Sequence, residues 1–267
     1  MKKLFIFMFI SFLALPLFAA DGGMGLTVGV DYLSQSLWRG IPDFPKGGAF
    51  SPYVSYEAAD IGLSVTLAGL ISDSYILDKD KTCRDISELD LDVEYSNNLG
   101  FATLGAGIGY YKIGPYKKLG KLKKEEYAYS TGFVSLTFED IILSPMLKYS
   151  HDYYHTDGFS NKGKDFYIQL GISHTFDIAA DVAGLTLGAV GGYFNSKVWD
   201  MKGISDIDLS ADLEVKDGAV TYSAGFHYVI VPTKDFYYAT GELDYVRLKP
   251  VKDRNRFYAT FGAAYSF

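Results

Sequence analysis

Two stretches of the chain place a carboxylate at almost every second position. One reads Glu88-Leu89-Asp90-Leu91-Asp92-Val93-Glu94-Tyr95, the other Asp206-Ile207-Asp208-Leu209-Ser210-Ala211-Asp212-Leu213-Glu214-Val215. Successive side chains of a strand point to opposite faces. Glu88, Asp90, Asp92 and Glu94 therefore form one acidic column, and Asp206, Asp208, Asp212 and Glu214 form another. Ranks of Asp and Glu in a water-filled passage favour cations. Other chemistry is weakly represented. The run from His151 through Asp152 and His155 to Asp157 offers two imidazoles and two carboxylates within seven residues. It falls at a strand end and in a loop, where side chains alternate, so ordinary loop polarity is favoured over a metal site. His174 and His227 complete the histidines. No Ser–His pair stands in a recognisable catalytic motif, and there is no Gly-rich phosphate loop or zinc-ligand spacing. No catalytic residue, metal or cofactor is expected, and the chain is not expected to be an enzyme.

The elements that carry these residues are strands. In the last segment Phe257, Ala259, Phe261, Ala263, Tyr265 and Phe267 alternate with Arg256, Tyr258, Thr260, Gly262, Ala264 and Ser266, giving one apolar and one small or polar face. Twelve segments of this kind are expected, at about 24–38, 49–59, 61–71, 87–96, 100–113, 125–138, 142–152, 163–176, 183–195, 204–216, 219–231 and 256–267. The connections alternate between short and long. Asp60 alone, Asn97-Asn98-Leu99, Glu139-Asp140-Ile141 and Asp217-Gly218 are short. The stretches 72–86, 114–124, 153–162 and 232–255 are long, 39–48 and 196–203 are somewhat shorter, and 177–182 blurs the pattern. An even strand count, short turns at one end and long loops at the other describe an all-β, antiparallel transmembrane barrel of an outer membrane. A lipocalin-like barrel or β-sandwich is the soluble alternative. Residues 236–248 could add a further hairpin.

The composition and the ends agree with this. Of all residues 48% are hydrophobic, yet no segment after the first twenty is long and apolar enough for a spanning helix. That hydrophobicity must lie in short interrupted strands. The 22 Tyr and 19 Phe suit strands, and Tyr suits a membrane–water interface. Lys2 and Lys3, the apolar run from Leu4 to Phe18, and Ala19-Ala20 have the layout of a secretory signal peptide, expected to span 1–20 and leave 21–267 as the barrel. Losing Lys2 and Lys3 takes the formal charge from −7 to −9. An acidic exported chain argues against nucleic acid as a partner. Cys83 is the only cysteine, so no intrachain disulfide forms.

Lipid requires the apolar faces outward and the carboxylates inward. The two acidic columns then stand on opposite walls, with Asp31, Glu57, Lys148, Asp152, Gln169, His227 and Arg256 as further interior residues. Gly105, Gly107 and Gly109 line the same face and leave room there. Two readings stay open: a wet, cation-preferring pore, or an interior filled by carboxylates paired with bases. Expected partners are outer-membrane lipid and lipopolysaccharide; Lys117, Lys118, Lys121, Lys123 and Lys124 either touch lipopolysaccharide phosphates or are simply solvated. Small solutes or ions and the barrel-insertion machinery, which reads a terminal residue such as Phe267, complete the set.

The stretch Asp31-Tyr32-Leu33-Ser34-Gln35-Ser36-Leu37-Trp38-Arg39-Gly40-Ile41, followed by Gly47-Gly48 and Pro52-Tyr53, resembles the TorF-type porin family, whose members carry an aromatic-Arg-Gly-Ile motif after the first strand. The resemblance implies an outer-membrane barrel with a pore role. It places Arg39 at the outside rim, either paired with an acidic wall or as a strand-end residue with Trp38 in the aromatic belt. The functional expectation is a passive channel for small hydrophilic solutes that prefers cations. A non-conducting structural or adhesive barrel acting through its loops, or an outer-membrane hydrolase, are the alternatives.

Overall fold

The computed structural model describes residues 25–42, 47–73, 87–117, 124–154, 165–197, 201–233 and 255–267. The expected signal segment, Cys83, His155, Asp157 and residues 236–248 lie outside these ranges. Fourteen strands follow one another among the described residues: β1 (Leu26–Leu33), β2 (Leu37–Trp38), β3 (Ile41–Pro42), β4 (Ala49–Ala58), β5 (Leu63–Ser72), β6 (Ser87–Asn98), β7 (Thr103–Lys117), β8 (Lys124–Thr137), β9 (Met146–Tyr154), β10 (Asp165–Ala179), β11 (Ala183–Ser196), β12 (Met201–Asp217), β13 (Val220–Ile230) and β14 (Asn255–Ser266). Twelve of them close into one antiparallel barrel, each paired with its neighbours along the chain and β14 sealed to β1. β2 and β3 pair only with each other.

Turn chemistry sets the short-turn end of the barrel, where the described chain also begins and ends. Gly218, at φ +61°, lets Asp217-Gly218 turn directly between β12 and β13. A single 3-10 turn at Ala59–Ile61 stops at Gly62 (φ +67°), where a Cβ would overlap the Ser96 carbonyl. Between β6 and β7, Asn98 Oδ1 accepts the Gly100 N–H at 2.7 Å. Short turns mark the periplasmic side of such barrels and long connections the outside.

Most of the expected segments match strands within three residues, and the exceptions have local causes. The segment expected at 142–152 begins only at Met146, because Leu143 (φ 73°) and Ser144 (φ 33°) leave extended geometry just before Pro145. The blurred connection at 177–182 is a tight turn, since β10 runs on to Ala179 and β11 resumes at Ala183. The first segment, expected as one strand over 24–38, ends at Leu33. Leu37–Trp38 instead forms a two-residue-turn hairpin with Ile41–Pro42.

That hairpin identifies the interior. β1 and β9 lie six strands apart whichever way the ring is followed. The segment leaving β1 nevertheless places Arg39 against Asp152 of β9 and Gly40 against Ser205 of β12. It crosses the inside of the barrel to do so. The face of Asp152 is therefore interior. Unbroken register carries that assignment around the ring through Thr131, Gly109, Asp92, Thr66 and Ser55 to Thr27 in one direction. In the other direction it passes from Tyr167 through Phe194, with the partners of Gly192, to Asp206.

The opposite face carries the membrane. Leu91, Ile108, Val134, Leu170, Leu209, Phe226, Phe257 and Phe261 all point outward and are exposed, Leu170 at 64% and Phe257 at 66%. Exposure of large apolar side chains on every wall is unstable in water and is what hydrocarbon requires. The chain is a twelve-stranded transmembrane barrel of an outer membrane.

Candidate functional site

The site is the barrel interior, and the hairpin β2–β3 divides it. Its turn is Arg39-Gly40, with positive φ at both positions (52° and 78°). Two-residue hairpins favour this geometry. A non-Gly residue held there costs on the order of 1 kcal/mol and persists where its surroundings impose it. The surroundings here are specific. The Arg39 guanidinium donates through Nη1 to Asp152 Oδ2 at 2.5 Å and through Nη2 to Asp152 Oδ1 at 2.8 Å. Thr131 Oγ1 donates to the same carboxylate at 2.7 Å. The side chains of Arg39 and Asp152 are 7% and 0% exposed. The guanidinium carbon lies over three aromatic rings, at 4.6 Å from the Trp38 centroid, 4.8 Å from Tyr167 and 4.6 Å from Phe194. A delocalised, weakly hydrated cation suits such a cage.

The rest of the hairpin is seated on the same wall. Trp38 meets Phe194 edge-on at 5.4 Å and Tyr129 at 6.1 Å. Leu37, Trp38 and Ile41 pack on a buried cluster of Tyr167, Phe194, Met201, Val229 and Val231. Gly40 lies against the Ser205 carbonyl and the Asp206 Cβ, where an added Cβ would come within 3.0 and 3.1 Å. This explains why β1 stops early. Leu37 and Trp38 bury apolar surface inside the barrel rather than in lipid. Trp38 is thus not in the aromatic belt, and Arg39 is not at an open rim but inside the outer end of the barrel, paired with its wall.

A β-bulge prepares the seat. Gly192 pairs with Asp206 and Tyr193 with Ile204, leaving Ser205 extra. Both Ser205 and Asp206 are consequently buried. Asp206 accepts from the Tyr167 hydroxyl at 3.0 and 2.9 Å and from the Ser205 hydroxyl.

The remaining β12 carboxylates also have partners. Asp208 Oδ2 lies 3.2 Å from His227 Nδ1, and Asp212 Oδ1 lies 3.3 Å from His227 Nε2. The Tyr258 ring stacks on the imidazole at 4.4 Å, and its hydroxyl donates to Asp208 at 3.4 Å. Glu214 meets Lys216 at 3.3 Å. Both His227 nitrogens face carboxylates. The neighbouring Ser210 lies against Gly188, where an added Cβ would come within 2.8 Å of its Oγ. The imidazole is placed to bridge two acids, not to activate this serine.

The β6 column sits differently. Glu88, Asp90, Asp92 and Glu94 pair in register with Leu70, Ala68, Thr66 and Ser64 on one side and Ile113, Tyr111, Gly109 and Gly107 on the other. Asp92 Oδ1 accepts from the Tyr111 hydroxyl at 2.8 Å. The glycines of β7 give this wall its shape, since Cβ atoms at Gly107 and Gly109 would run into the Phe133 ring and the Tyr111 hydroxyl. Large side chains from neighbouring positions lie across the glycines. Towards the periplasmic end a cavity of about 410 Å³ is lined by Ser55, Glu57, Ser64, Glu94, Gly105 and Ser135, among others. Among the described residues no ion pair engages Glu57 or Glu94. Lys148 lies 3.9 Å over the Phe133 ring.

Of the His151–Asp157 run, residues 151–154 are described, and they separate as alternation requires. Asp152 points inward, while His151 points outward beside Tyr149 and Tyr153. Among the described residues no group of His, Cys, Asp and Glu could hold a metal. His174 is on the outer face against Phe176. The side chains of the loop lysines lie outside the described residues.

Sequence reasoning missed the seat rather than the columns. Tyr167 and Phe194 share the interior parity of Gln169 and Gly192 although they are aromatic. Ser205-Asp206 sets two polar residues together in an otherwise alternating strand. Inward aromatics beside a broken alternation mark a place where something packs inside the barrel.

No family model matches the chain, and no curated protein matches it. Among solved structures, the NanC porin superposes with a TM-score of 0.51 at 12% identity, covering 91% of this chain and 100% of that one. An outer-membrane channel from Pseudomonas putida F1 gives 0.48 at 12% identity, over 92% of this chain and 97% of that one. LpxR from Salmonella typhimurium gives 0.48 at 11% identity, over 90% and 100%. The NanC likeness is one of fold.

Proposed function

We propose that this barrel is a passive outer-membrane channel for small hydrophilic solutes, with a preference for cations. The observation that carries the reading is the charge of the interior face. Asp31, Glu57, the β6 column and the β12 column stand on it, against Arg39, Lys148, Lys216, His227 and Arg256. Arg39 is already neutralised by Asp152, so the field left for a passing ion is negative. An acidic passage walled by low-dielectric protein raises local cation concentration. The NanC likeness supports a porin-type barrel, and the Trp38-Arg39-Gly40-Ile41 motif supports kinship with TorF-type porins.

The hairpin narrows the outer end and favours small solutes over large ones. The apolar outer face meets lipid, and Phe267, packed on Tyr265 at 4.7 Å, is the proposed handle for the insertion machinery. Flux into proteoliposomes tests the reading. Small cationic and neutral solutes are expected to enter faster than anions of the same size. Vesicles carrying folded barrel that stay as tight as protein-free ones would overturn it.

A further inference from the structure

The two acidic columns, similar in sequence, are not equivalent in the folded barrel. The hairpin occupies the outer end of the β8–β12 side, touching Tyr129, Asp152, Tyr167, Phe194 and Ser205. The cavity of about 410 Å³ lies on the other side, between inward residues of β4 to β8. The carboxylates of β12 are engaged: Asp206 by Tyr167 and Ser205, Asp208 and Asp212 by His227, Glu214 by Lys216. On the β4–β6 wall Asp92 accepts one neutral hydroxyl and shares the field of Lys148 with Glu94, and Glu57 and Glu94 face the cavity.

We infer that solutes move along the β4–β7 wall, past the seated hairpin and through this cavity, so that Glu57, Asp92 and Glu94 set charge selectivity while the β12 column serves as scaffold for the seat. The inference rests on the channel reading and says where in the barrel it operates. The β12 acids hold an imidazole, an ammonium or hydroxyls within hydrogen-bonding distance, and these partners offset part of their field on a passing cation. Glu57 and Glu94 border open volume. The glycines of β7 make room for the Phe133 ring and the Tyr111 hydroxyl, which form the surface of this wall beside Asp92 and Glu94.

The test compares two charge-removal sets in planar bilayers under a salt gradient. One is Glu57→Gln/Asp92→Asn/Glu94→Gln; the other is Asp208→Asn/Asp212→Asn. A carboxylate about 7 Å from a passing ion alters its concentration roughly twofold in water, less at high salt. The first set is expected to lower the cation-to-anion permeability ratio roughly fivefold and the second less than about twofold. Equal losses from both sets, or a loss only from the second, would overturn the inference while leaving the channel intact. A silent wild-type barrel would overturn the channel reading and this one together. If the triple variant fails to fold, single cysteines in a Cys83→Ser background replace it. A small cationic thiol reagent added from the outside should block current through Ser135→Cys, on the cavity wall, faster than through Ser210→Cys. The reverse order would overturn the assigned route.

Discussion

The β6 and β12 walls begin from nearly the same sequence pattern and end with different tasks. Both alternate carboxylates with Leu, Ile, Ala or Val, and both turn the acids inward. β6 keeps strict alternation through Glu94, beside a neighbour that sets Gly109, Gly107 and Gly105 opposite Asp92, Glu94 and Ser96. β12 inserts Ser205, and the bulge turns two consecutive polar side chains onto the seat of the hairpin. Its lower acids then straddle His227. A charge column becomes part of a pathway or part of a scaffold according to what stands opposite it. Here Tyr167, Phe194 and His227 stand beside one column, and Gly107 and Gly109 beside the other.

The largest expected effect breaks the scaffold side. Arg39→Met leaves Asp152 buried without its cation, and an orphaned buried charge costs about 3–5 kcal/mol. Unless the hairpin swings out and admits water, the variant should resist denaturant less well, as read by heat-modifiable gel mobility. The double replacement Arg39→Met/Asp152→Leu should recover part of that loss, because apolar substitutes for both partners remove the desolvation penalty. A double variant as unstable as the single one would mean that the aromatic cage, and not the pair, carries the anchoring.

Next in size is the hairpin itself. Trp38→Ala removes the half-buried ring lodged against Phe194 and Tyr129, at about 2 kcal/mol, below the range for a fully buried aromatic. Single-channel conductance should rise and become noisier as the outer end widens. Conductance equal to wild type would place the narrowing elsewhere. A smaller effect sharpens the contrast from the other direction. His227→Gln withdraws the imidazole from Asp208 and Asp212, and cation preference should rise by no more than about twofold, read from the reversal potential in a salt gradient. Smallest of all should be Lys216→Gln, because the exposed Glu214–Lys216 pair contributes about 0–1 kcal/mol. A thermal melt should shift little.

Much of the barrel was legible because period two is a property of each strand alone. The twelve segments, the alternation of turn lengths and the interior position of the acids follow from residues such as Leu89, Asp90 and Leu91 without reference to a partner. The strand over 24–38 failed because Leu37 and Trp38 continue the apolar character of β1. Local pattern carries no instruction about whether such residues meet lipid or fold inward. Arg39-Gly40 stood only as part of a motif, and the partner of Arg39 on β9 lies 113 residues away. The pairing of His227 with two acids was equally non-local, since Asp208 and Asp212 reach it only through the β12–β13 register.

The central claim is that the interior conducts and is acidic. Single-channel recording of the refolded wild-type barrel, with a salt gradient across the bilayer, tests it most directly. Discrete conductance steps with a reversal potential of cation-selective sign are the predicted result. Silence from a barrel shown to be folded, or steps of anion-selective sign, would contradict it.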